Sequence, residues 1–267
     1  MSINSILCAN NSTLQNFPSN QELALDITIS NLQLRYQHQW LFDNFNLYLP
    51  AKKWTCLLGQ SGVGKSTLLK FIAGLLDQNI TPHTGTVSTS NNLSPTKNIS
   101  YMAQQDLLMP WLSVMDNILI GYRLRGCKVT KAIEKKAGGL LSQVGLKQVS
   151  HLRPEKLSCG MRQRAALVRT IMEERSIVLM DEPFAALDAI TKLKLQTLAA
   201  ELFTEHTVVL VTHDPFEALR LGRYVYVLSG APVKLSVAIE PAGKTPRELT
   251  DAKLLKQQAE LLELLAR

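Results

Sequence analysis

Hydrophobic and polar residues alternate along the first part of the chain in the manner of half-buried strands. Two segments show this alternation, LDITISNLQLRY from Leu25 and FNLYLP from Phe45, and each predicts a short strand. The next segment, WTCLLG, has continuous apolar residues that stop at Gly59, as expected for a strand buried on both faces. A helix is predicted directly after it, from Lys65 to Leu75.

The middle of the chain changes to helical patterning. The polar stretch 77–98 indicates a loop with one weak strand at its middle, and NISYMAQ returns to strand. From Val114 to about Val149 the apolar residues recur at helical spacing, and a further helix begins after Ser158. These patterns predict a helical insert within an α/β domain.

The last third of the chain alternates between strands and helices again. IVLMDE, VVLVTH and YVYVLS are apolar enough for buried strands, and PFEALRL is a predicted helix between the last two. Residues 251–267 predict an amphipathic terminal helix. At the other end, residues 1–25 are rich in Asn, Ser and Gln, which predicts a flexible tail and a folded domain covering 26–267.

Length and composition exclude several classes of protein. The 267 residues suffice for one large α/β domain, and 46% apolar with 19% charged residues excludes a disordered or fibrous chain. The net charge of +7 is scattered among acidic residues, which argues against a nucleic-acid partner. No apolar run is long enough to cross a bilayer, and four cysteines without a CxxC pair indicate free thiols in a reducing compartment. We therefore expect a cytoplasmic location.

The segment GQSGVGKST is a complete phosphate-binding loop between a predicted strand and a predicted helix. Its glycines let the backbone wrap around phosphates, so that successive N–H groups and the helix N-terminus face negative charge. Lys65 is expected to reach the β- and γ-phosphates of ATP, and Ser66 to hold Mg²⁺. The predicted nucleotide-binding residues of the loop are Gly59, Gln60, Ser61, Gly62, Val63, Gly64, Lys65, Ser66 and Thr67.

Two adjacent carboxylates follow the apolar strand IVLM. Strand alternation points Asp181 and Glu182 in different directions, so they are expected to have different roles. We expect Asp181 to bind Mg²⁺ directly or through water, and Glu182 to take a proton from the attacking water. Together with the phosphate loop this predicts a P-loop nucleotide enzyme, and it leaves kinases, switch GTPases, helicases and transporters open.

The segment LSCGMRQR, from Leu157 to Arg164, narrows this choice. With the other two motifs it resembles the LSGGQ or LSGGM signature of ABC ATPases, and the resemblance covers roughly Ile27 to Gly230. The family implies a P-loop NTPase core of ABC type, with an N-terminal antiparallel β subdomain and an inserted α-helical subdomain at about residues 105–165. A soluble nucleotide-dependent switch or a kinase is the alternative class, and neither would need this signature.

The resemblance also implies roles for residues that no spacing rule singles out. Tyr36 matches the aromatic residue that stacks on adenine, Gln104 the glutamine of the Q-loop, Asp188 the D-loop and His213 the switch histidine. The implied catalytic residues are Glu182, His213, Gln104 and Lys65, and the implied metal ligands are Ser66, Gln104 and Asp181.

The family further implies a homodimer in which each ATP lies between the phosphate loop of one copy and the signature of the other. The signature residues here are Ser158, Cys159, Gly160 and Met161. Cys159 departs from the family, which has glycine at this position. A side chain there would strain the backbone if its φ were positive, and it would place a thiol near the ATP.

A narrower resemblance concerns import across a membrane. QQDLLMPWLSVMDN, starting at Gln104, resembles ATPases of the nitrate, taurine and sulfonate importers, and THDPFEALRLG is most like the ATP-binding subunit for hydroxymethylpyrimidine, a thiamine precursor. That precursor is the expected solute, with taurine, sulfonate or nitrate as alternatives. Trp111 is expected either to face the permease or to anchor the core.

This resemblance also implies the surroundings of the chain. The implied partners are transmembrane permease subunits and a periplasmic or extracellular solute-binding protein. The implied location is the cytoplasmic face of the inner membrane, with no nucleic acid bound and no direct contact with the transported solute.

Overall fold

The computed structural model describes residues 25–36, 38–79, 81–91, 95–248 and 252–265. The predicted flexible tail lies outside the described residues except for Leu25, which is buried. The chain divides into two compact units. Among the described residues, one unit comprises Leu108–Glu174, and the other comprises the chain before Leu108 and from Arg175 onwards.

All the strands in the described residues belong to the second of these units. In chain order they are β1 (Ile27–Tyr36), β2 (Gln39–Leu49), β3 (Trp54–Leu58), β4 (His83–Ser88), β5 (Ile99–Met102), β6 (Ile177–Asp181), β7 (Thr207–Thr212), β8 (Tyr224–Ser229) and β9 (Lys234–Leu235). They form a three-stranded sheet in the order β2-β1-β4 and a six-stranded sheet in the order β5-β6-β7-β3-β8-β9. The small sheet is antiparallel.

The large sheet is parallel from β5 to β8, and β9 pairs antiparallel with β8. Every residue of β3, β6 and β7 is buried, which explains the continuous apolar runs of these strands. One buried cluster joins the two sheets to the first helix and includes Leu34, Phe42, Leu57, Leu68 and Val209. The predicted α/β architecture is therefore confirmed.

Seven α-helices occur in the described residues. In chain order they are α1 (Lys65–Ile72), α2 (Val114–Leu124), α3 (Lys131–Gln143), α4 (Cys159–Met172), α5 (Ala189–Leu202), α6 (Pro215–Leu221) and α7 (Ala252–Leu265). None of the described helices combines the length and the apolar character needed to cross a membrane.

Two helices differ from the sequence-based expectation. α1 ends at Ile72 rather than at Leu75, because Gly74 has a φ of 67° and closes a left-handed helix end in which Leu75 N donates to Lys70 O. α5 was not predicted at all. Its apolar residues do not gather on one face, since Ile190 is exposed while Leu195 is buried.

The helical unit is formed by α2, α3 and α4, with two short 3₁₀ helices at Lys147–Val149 and Pro154–Lys156. Each of its three α-helices begins with a side-chain cap, supplied by Ser113, Thr130 and Ser158. These caps explain why the helices begin where the sequence predicts.

Candidate functional site

The phosphate loop connects the buried end of β3 to the first turn of α1. Gly62 and Gly64 have φ values of 84° and 107°, a region that L side chains rarely adopt. A Cβ at Gly64 would also lie 3.1 Å from Leu41 Cδ1. Because Gly64 immediately precedes α1 and has no side chain to cap it, the first N–H groups of the helix point into the loop. The loop therefore has the form of an anion-binding cradle.

Lys65 lies inside this cradle rather than on the surface. Its Nζ donates to Gly59 O at 2.7 Å and to Gln60 O at 2.9 Å. Burial lowers the pKa of Lys65, and the nearby carboxylates of Glu182 and Asp181 oppose this shift. The loop thus holds its cation close to both carboxylates, where phosphate oxygens would replace the two carbonyl partners.

Ser66 and Asp181 are brought together next to the loop. Asp181 is 3% exposed, and the Ser66 side chain hydrogen-bonds its carboxylate. Burial raises the pKa of Asp181, while the Ser66 hydrogen bond acts in the opposite direction. Its Oδ1 is buried without a hydrogen-bond partner among the described residues. A hydroxyl oxygen and an incompletely satisfied carboxylate suit a hard divalent cation such as Mg²⁺.

Three of the predicted catalytic residues follow three neighbouring strands. Gln104 comes after β5, Glu182 after β6 and His213 after β7, so the carboxyl ends of the parallel strands gather them. Gln104 Nε2 donates to Glu182 Oε2 at 3.4 Å, and His213 Nδ1 lies 3.0 Å from Glu182 Oε1. The structure therefore centres this cluster on Glu182.

The backbone of Glu182 is strained. Its φ of 48° lies in the left-handed region, although Glu182 is not a glycine. Its N–H donates to Val211 O on the neighbouring strand at 2.9 Å, which holds this conformation in place. The left-handed backbone turns the Glu182 side chain out of the alternation of the strand. Such a strained conformation persists only where the surrounding structure enforces it.

Two other predicted residues lie in exposed positions. Tyr36 ends β1 on the three-stranded sheet and is 48% exposed, so its ring is accessible to the adenine base of a nucleotide. Asp188 caps α5, where its carboxylate accepts from Thr191 N at 3.0 Å. The remaining residues of the loop, Ser61, Val63 and Thr67, lie at least partly exposed within the phosphate loop and the first turn of α1.

The signature segment belongs to the helical unit. Ser158 is the cap of α4, and its hydroxyl accepts from Met161 N at 3.3 Å. Cys159 is the first residue of the helix and is exposed, and Gly160 and Met161 follow in the first turn. Because Cys159 adopts helical backbone, the strain that a positive φ would have caused does not arise.

A second exposed feature of the helical unit is the segment before α2. Asn117 is fully buried, and it binds Met109 at both N and O, with distances of 2.7 and 3.1 Å. It also donates to the Leu112 and Ser113 carbonyls. This scaffold leaves Trp111 with 65% exposure, so the core-anchor interpretation of Trp111 is wrong. In the sequence Asn117 is one polar position in a predicted helix, and nothing in its spacing indicates that its side chain binds the preceding segment.

The end of α7 contacts the phosphate loop. Gln60 Nε2 donates to Leu265 O at 2.7 Å, and this bond satisfies one of the carbonyls that every helix leaves unpaired at its C-terminus. Leu264 and Leu265 line a cavity with Ser61, Gly62 and Val63. The sequence analysis predicted this helix but gave no reason to place it here.

Comparison with known proteins agrees with this geometry. The family model described as ABC transporter matches residues 42–185. An uncharacterized ABC transporter ATP-binding protein of Haemophilus influenzae is 43% identical over 240 residues, which cover 89% of this chain and 97% of the relative. An aliphatic sulfonates import ATP-binding protein of Streptomyces avermitilis, SsuB 1, is 38% identical over 90% of this chain and 86% of its own length.

Solved structures give the same result. The dimeric structure of a bacterial ABC transporter cassette superposes with a TM-score of 0.71 at 26% identity, and covers 82% of this chain and 100% of the cassette. The same cassette in a dimeric post-hydrolysis state bound to ADP and Pi gives a TM-score of 0.70 at 26% identity, with the same coverage. The chain belongs to the ABC transporter family, as an ATP-binding subunit with ATPase activity.

Proposed function

We propose that this chain is the ATPase of an importer, working as a homodimer beneath separate permease subunits at the cytoplasmic face of the inner membrane. ATP hydrolysis at two shared sites drives the uptake of a small solute that a solute-binding protein delivers. The observation that carries the ATPase part of this proposal is the Gln104–Glu182–His213 cluster beside the phosphate loop, because it combines a general base, its two polar partners and a phosphate cradle at one edge of the sheet.

In this mechanism the residues of one copy bind and orient ATP. The N–H groups of the phosphate loop and the ammonium of Lys65 hold the phosphates, and Tyr36 stacks on the adenine. Ser66, Asp181 and Gln104 would hold Mg²⁺, which supplies charge neutralisation at the β- and γ-phosphates. To bind the phosphates, Lys65 gives up its hydrogen bonds to the carbonyls of Gly59 and Gln60. This exchange replaces two neutral acceptors with charged phosphate oxygens.

Glu182 then acts as general base towards the attacking water. Its two oxygens are already engaged by Gln104 and His213, so the carboxylate is held in one orientation. His213 would donate to the γ-phosphate or to the water. Ser158, Cys159, Gly160 and Met161 of the second copy close the site from the other side and exclude water.

The importer assignment and the solute rest on relatives. The sulfonate import proteins of Streptomyces avermitilis are 36% and 38% identical to this chain over 90% of its length. An aliphatic sulfonate is therefore better supported as the solute than hydroxymethylpyrimidine. The exposed Trp111, on a segment fixed by Asn117, offers an aromatic contact for a permease.

The first test uses Glu182→Gln in purified protein. Removal of the base is expected to lower ATP turnover by about 100-fold or more, and to leave ATP bound, so that a stable dimer accumulates. The size of the protein is measured by light scattering at saturating MgATP. Glu205→Gln is a matched control, since it makes the same change at an exposed carboxylate that pairs with Lys52. A Glu182→Gln chain that hydrolyses ATP at the normal rate would overturn the mechanism, and one that stays monomeric would favour a switch or a kinase.

The second test concerns the solute. Uptake of a labelled aliphatic sulfonate is compared with hydroxymethylpyrimidine, taurine and nitrate in cells that contain the native permease and either this chain or Glu182→Gln. Uptake of the sulfonate with the active chain alone supports the proposed solute. Uptake of another of the four compounds supports the importer and corrects the solute, whereas efflux of any of them would overturn the importer assignment.

A further inference from the structure

A partly buried polar cluster lies behind the loop that holds His213. Lys192 on α5 places its Nζ 2.7 Å from Asp214 Oδ2 and 3.7 Å from Glu217 Oε2. Asp214 directly follows His213 in the chain, and Glu217 lies in the first turn of α6 with a side chain that is 3% exposed. One cation therefore faces two carboxylates immediately next to the proposed switch histidine.

The same carboxylates fix the backbone around His213. Asp214 Oδ1 accepts from Phe216 N at 2.9 Å, and Asp214 N donates to Thr212 Oγ1 at 3.0 Å. The Thr212 hydroxyl in turn donates to Glu217 Oε2 at 2.6 Å. The residues on both sides of His213 are thus tied to the Lys192 ion pairs, which leaves His213 little freedom to shift along the loop.

The charges make this arrangement depend on Lys192. Burial raises the pKa of Glu217, and the positive charge of Lys192 works against that shift. Loss of the cation would leave two neighbouring carboxylates without their counter-ion, and a partly buried ion pair is costly to break from one side. The surface pair Lys52–Glu205 has the same chemistry, but its side chains are 40% and 52% exposed, so solvent screens it.

Lys192 also connects this loop to a second part of the proposed site. Its backbone N–H donates to Asp188 O at 2.8 Å, one turn earlier in α5, so Lys192 and the D-loop residue Asp188 share the first turn of one helix. The segment around this turn is exposed at Ala185, Ala186 and Ile190. Movement of the start of α5 would therefore be transmitted to Asp214 through the Lys192 side chain, while Gln196, one turn further along α5, donates to Glu217 Oε1 at 3.4 Å.

We propose that Lys192 is a positioning residue for His213, which it acts on through Asp214 and Glu217, and that it joins the position of His213 to that of the Asp188 turn. The inference rests on the proposed function, in which His213 contacts the γ-phosphate or the attacking water. Lys192 itself touches neither ATP nor water in this scheme. Its effect is therefore on the rate of the chemical step and not on the affinity for ATP.

The test compares Lys192→Met with Lys192→Arg in steady-state ATP hydrolysis. Methionine keeps the length of the side chain and removes its charge, so kcat is expected to decrease about tenfold while KM for ATP changes less than twofold, since a small displacement of a catalytic group lowers the rate without altering binding. Arginine restores the charge and is expected to recover kcat to within about threefold of the wild type. Lys52→Met is the matched control and should leave both constants unchanged.

Asp214→Asn provides an independent route to the same result. Asparagine caps a helix as well as aspartate does, so α6 keeps its start while the ion pair is lost. We expect Asp214→Asn to lower kcat with KM for ATP unchanged, by no more than Lys192→Met does because the Lys192–Glu217 pair remains. The double variant should be no slower than Lys192→Met, because both changes remove the Lys192–Asp214 interaction. Thermal unfolding of every variant is measured in parallel.

Four outcomes would overturn the inference: a wild-type kcat in Lys192→Met, a wild-type kcat in Asp214→Asn, a loss that appears in KM and is not recovered by arginine, or additive losses in the double variant. Should Lys192→Met fail to fold, Lys192→Arg and Asp214→Asn decide, since a wild-type kcat in Asp214→Asn contradicts the inference by itself. Failure of the proposed function is separate, because it would appear as unchanged hydrolysis by Glu182→Gln, whatever the Lys192 series shows.

Discussion

Two helix N-termini supply the two halves of the proposed nucleotide site, and they are built differently. α1 follows Gly64, which has no side chain to accept from the N–H groups of the first turn. α4 follows Ser158, whose hydroxyl accepts from Met161 N at 3.3 Å. The start of α1 therefore depends on a bound anion for its partners, whereas the start of α4 supplies one from its own chain.

The burial of residues around the two helix starts differs as well. Beside α1, Lys65 and Asp181 are both buried, and Asp181 has an oxygen without a partner among the described residues. Around the start of α4, Ser158 and Cys159 are exposed. A site that is electrostatically incomplete without its ligand gains stability on binding, so we expect ATP to be held first by the phosphate loop and the signature to join afterwards.

The largest effect that tests this contrast is expected for Lys65→Met. Loss of the buried ammonium removes charge-assisted hydrogen bonds to two phosphates, and the affinity for ATP should decrease by about 100-fold or more. Equilibrium binding of a fluorescent ATP analogue measures it. Lys70→Met, an exposed change on the same helix, is the control and should bind normally. Equal ATP affinities of Lys65→Met and Lys70→Met would contradict a special role of the phosphate loop in binding ATP.

A smaller effect is expected for Ser158→Ala. ATP binding to the single copy should be unchanged, and hydrolysis should decrease about tenfold because the second half of the site is perturbed. Loss of the cap should also destabilise the chain by about 1 kcal/mol. Thr130→Ala removes the corresponding cap of α3 in the same unit and is expected to cost similar stability without slowing hydrolysis. A parallel loss of hydrolysis in Thr130→Ala would mean that the signature acts only through folding.

The stability of the phosphate-loop half should increase when its buried charge is removed. Burial raises the pKa of Asp181, so the folded state holds the proton more tightly than the unfolded chain does, and stability decreases as the pH rises between the two pKa values. Asp181→Asn is therefore expected to raise Tm by about 2–4 °C at pH 7 without MgATP, a shift typical of about 1 kcal/mol in a chain of this size.

Thermal unfolding between pH 4 and pH 7 measures this gain. The gain in Tm should shrink towards pH 4, where Asp181 takes up a proton and approaches the neutrality of asparagine. Asp188→Asn is the matched control, because hydrogen bonds from Thr191 lower the pKa of that exposed carboxyl and no stabilisation follows from its removal. A lower Tm for Asp181→Asn at pH 7 would show that the carboxylate is not a source of strain.

The smallest effect is expected for Cys159→Gly. Because Cys159 already has helical backbone, the change relieves no strain, and turnover should stay within about twofold of the wild type. The thiol also serves as a probe of closure. Its alkylation should be fast in the absence of nucleotide and slow in Glu182→Gln with trapped ATP, as followed by mass spectrometry. Cys127→Ala removes a partly buried competing thiol, and equal labelling with and without ATP would contradict a signature that covers ATP.

The residues of the phosphate-loop half were predictable from the sequence because their chemistry demands a fixed local spacing. Gly62, Gly64 and Lys65 lie within one loop, and Asp181 and Glu182 end one apolar strand. The strands β3, β6 and β7 were predictable for a similar reason, since burial on both faces requires continuous apolar runs.

Other features depend on contacts between distant parts of the chain. Lys192 and Asp214 are separated by 22 residues, and each is an ordinary charged residue in the sequence. The DPFE spacing from Asp214 to Glu217 is consistent with the start of the predicted helix PFEALRL. It does not indicate that the Glu217 side chain turns inward to Thr212. α5 was missed because the packing around it, rather than its own pattern, decides which of its residues are buried.

The bond between Gln60 and the Leu265 carbonyl has a practical consequence for anyone who purifies this protein. A polyhistidine tag or a fluorescent protein attached directly after Leu265 would begin at a helix end that lies against the phosphate loop. We expect such a fusion to crowd the phosphate loop, and the imidazoles of a polyhistidine tag to lie near a bound triphosphate. Affinity handles and reporters therefore belong at the other end of the polypeptide, where the fusion starts far along the chain from the loop.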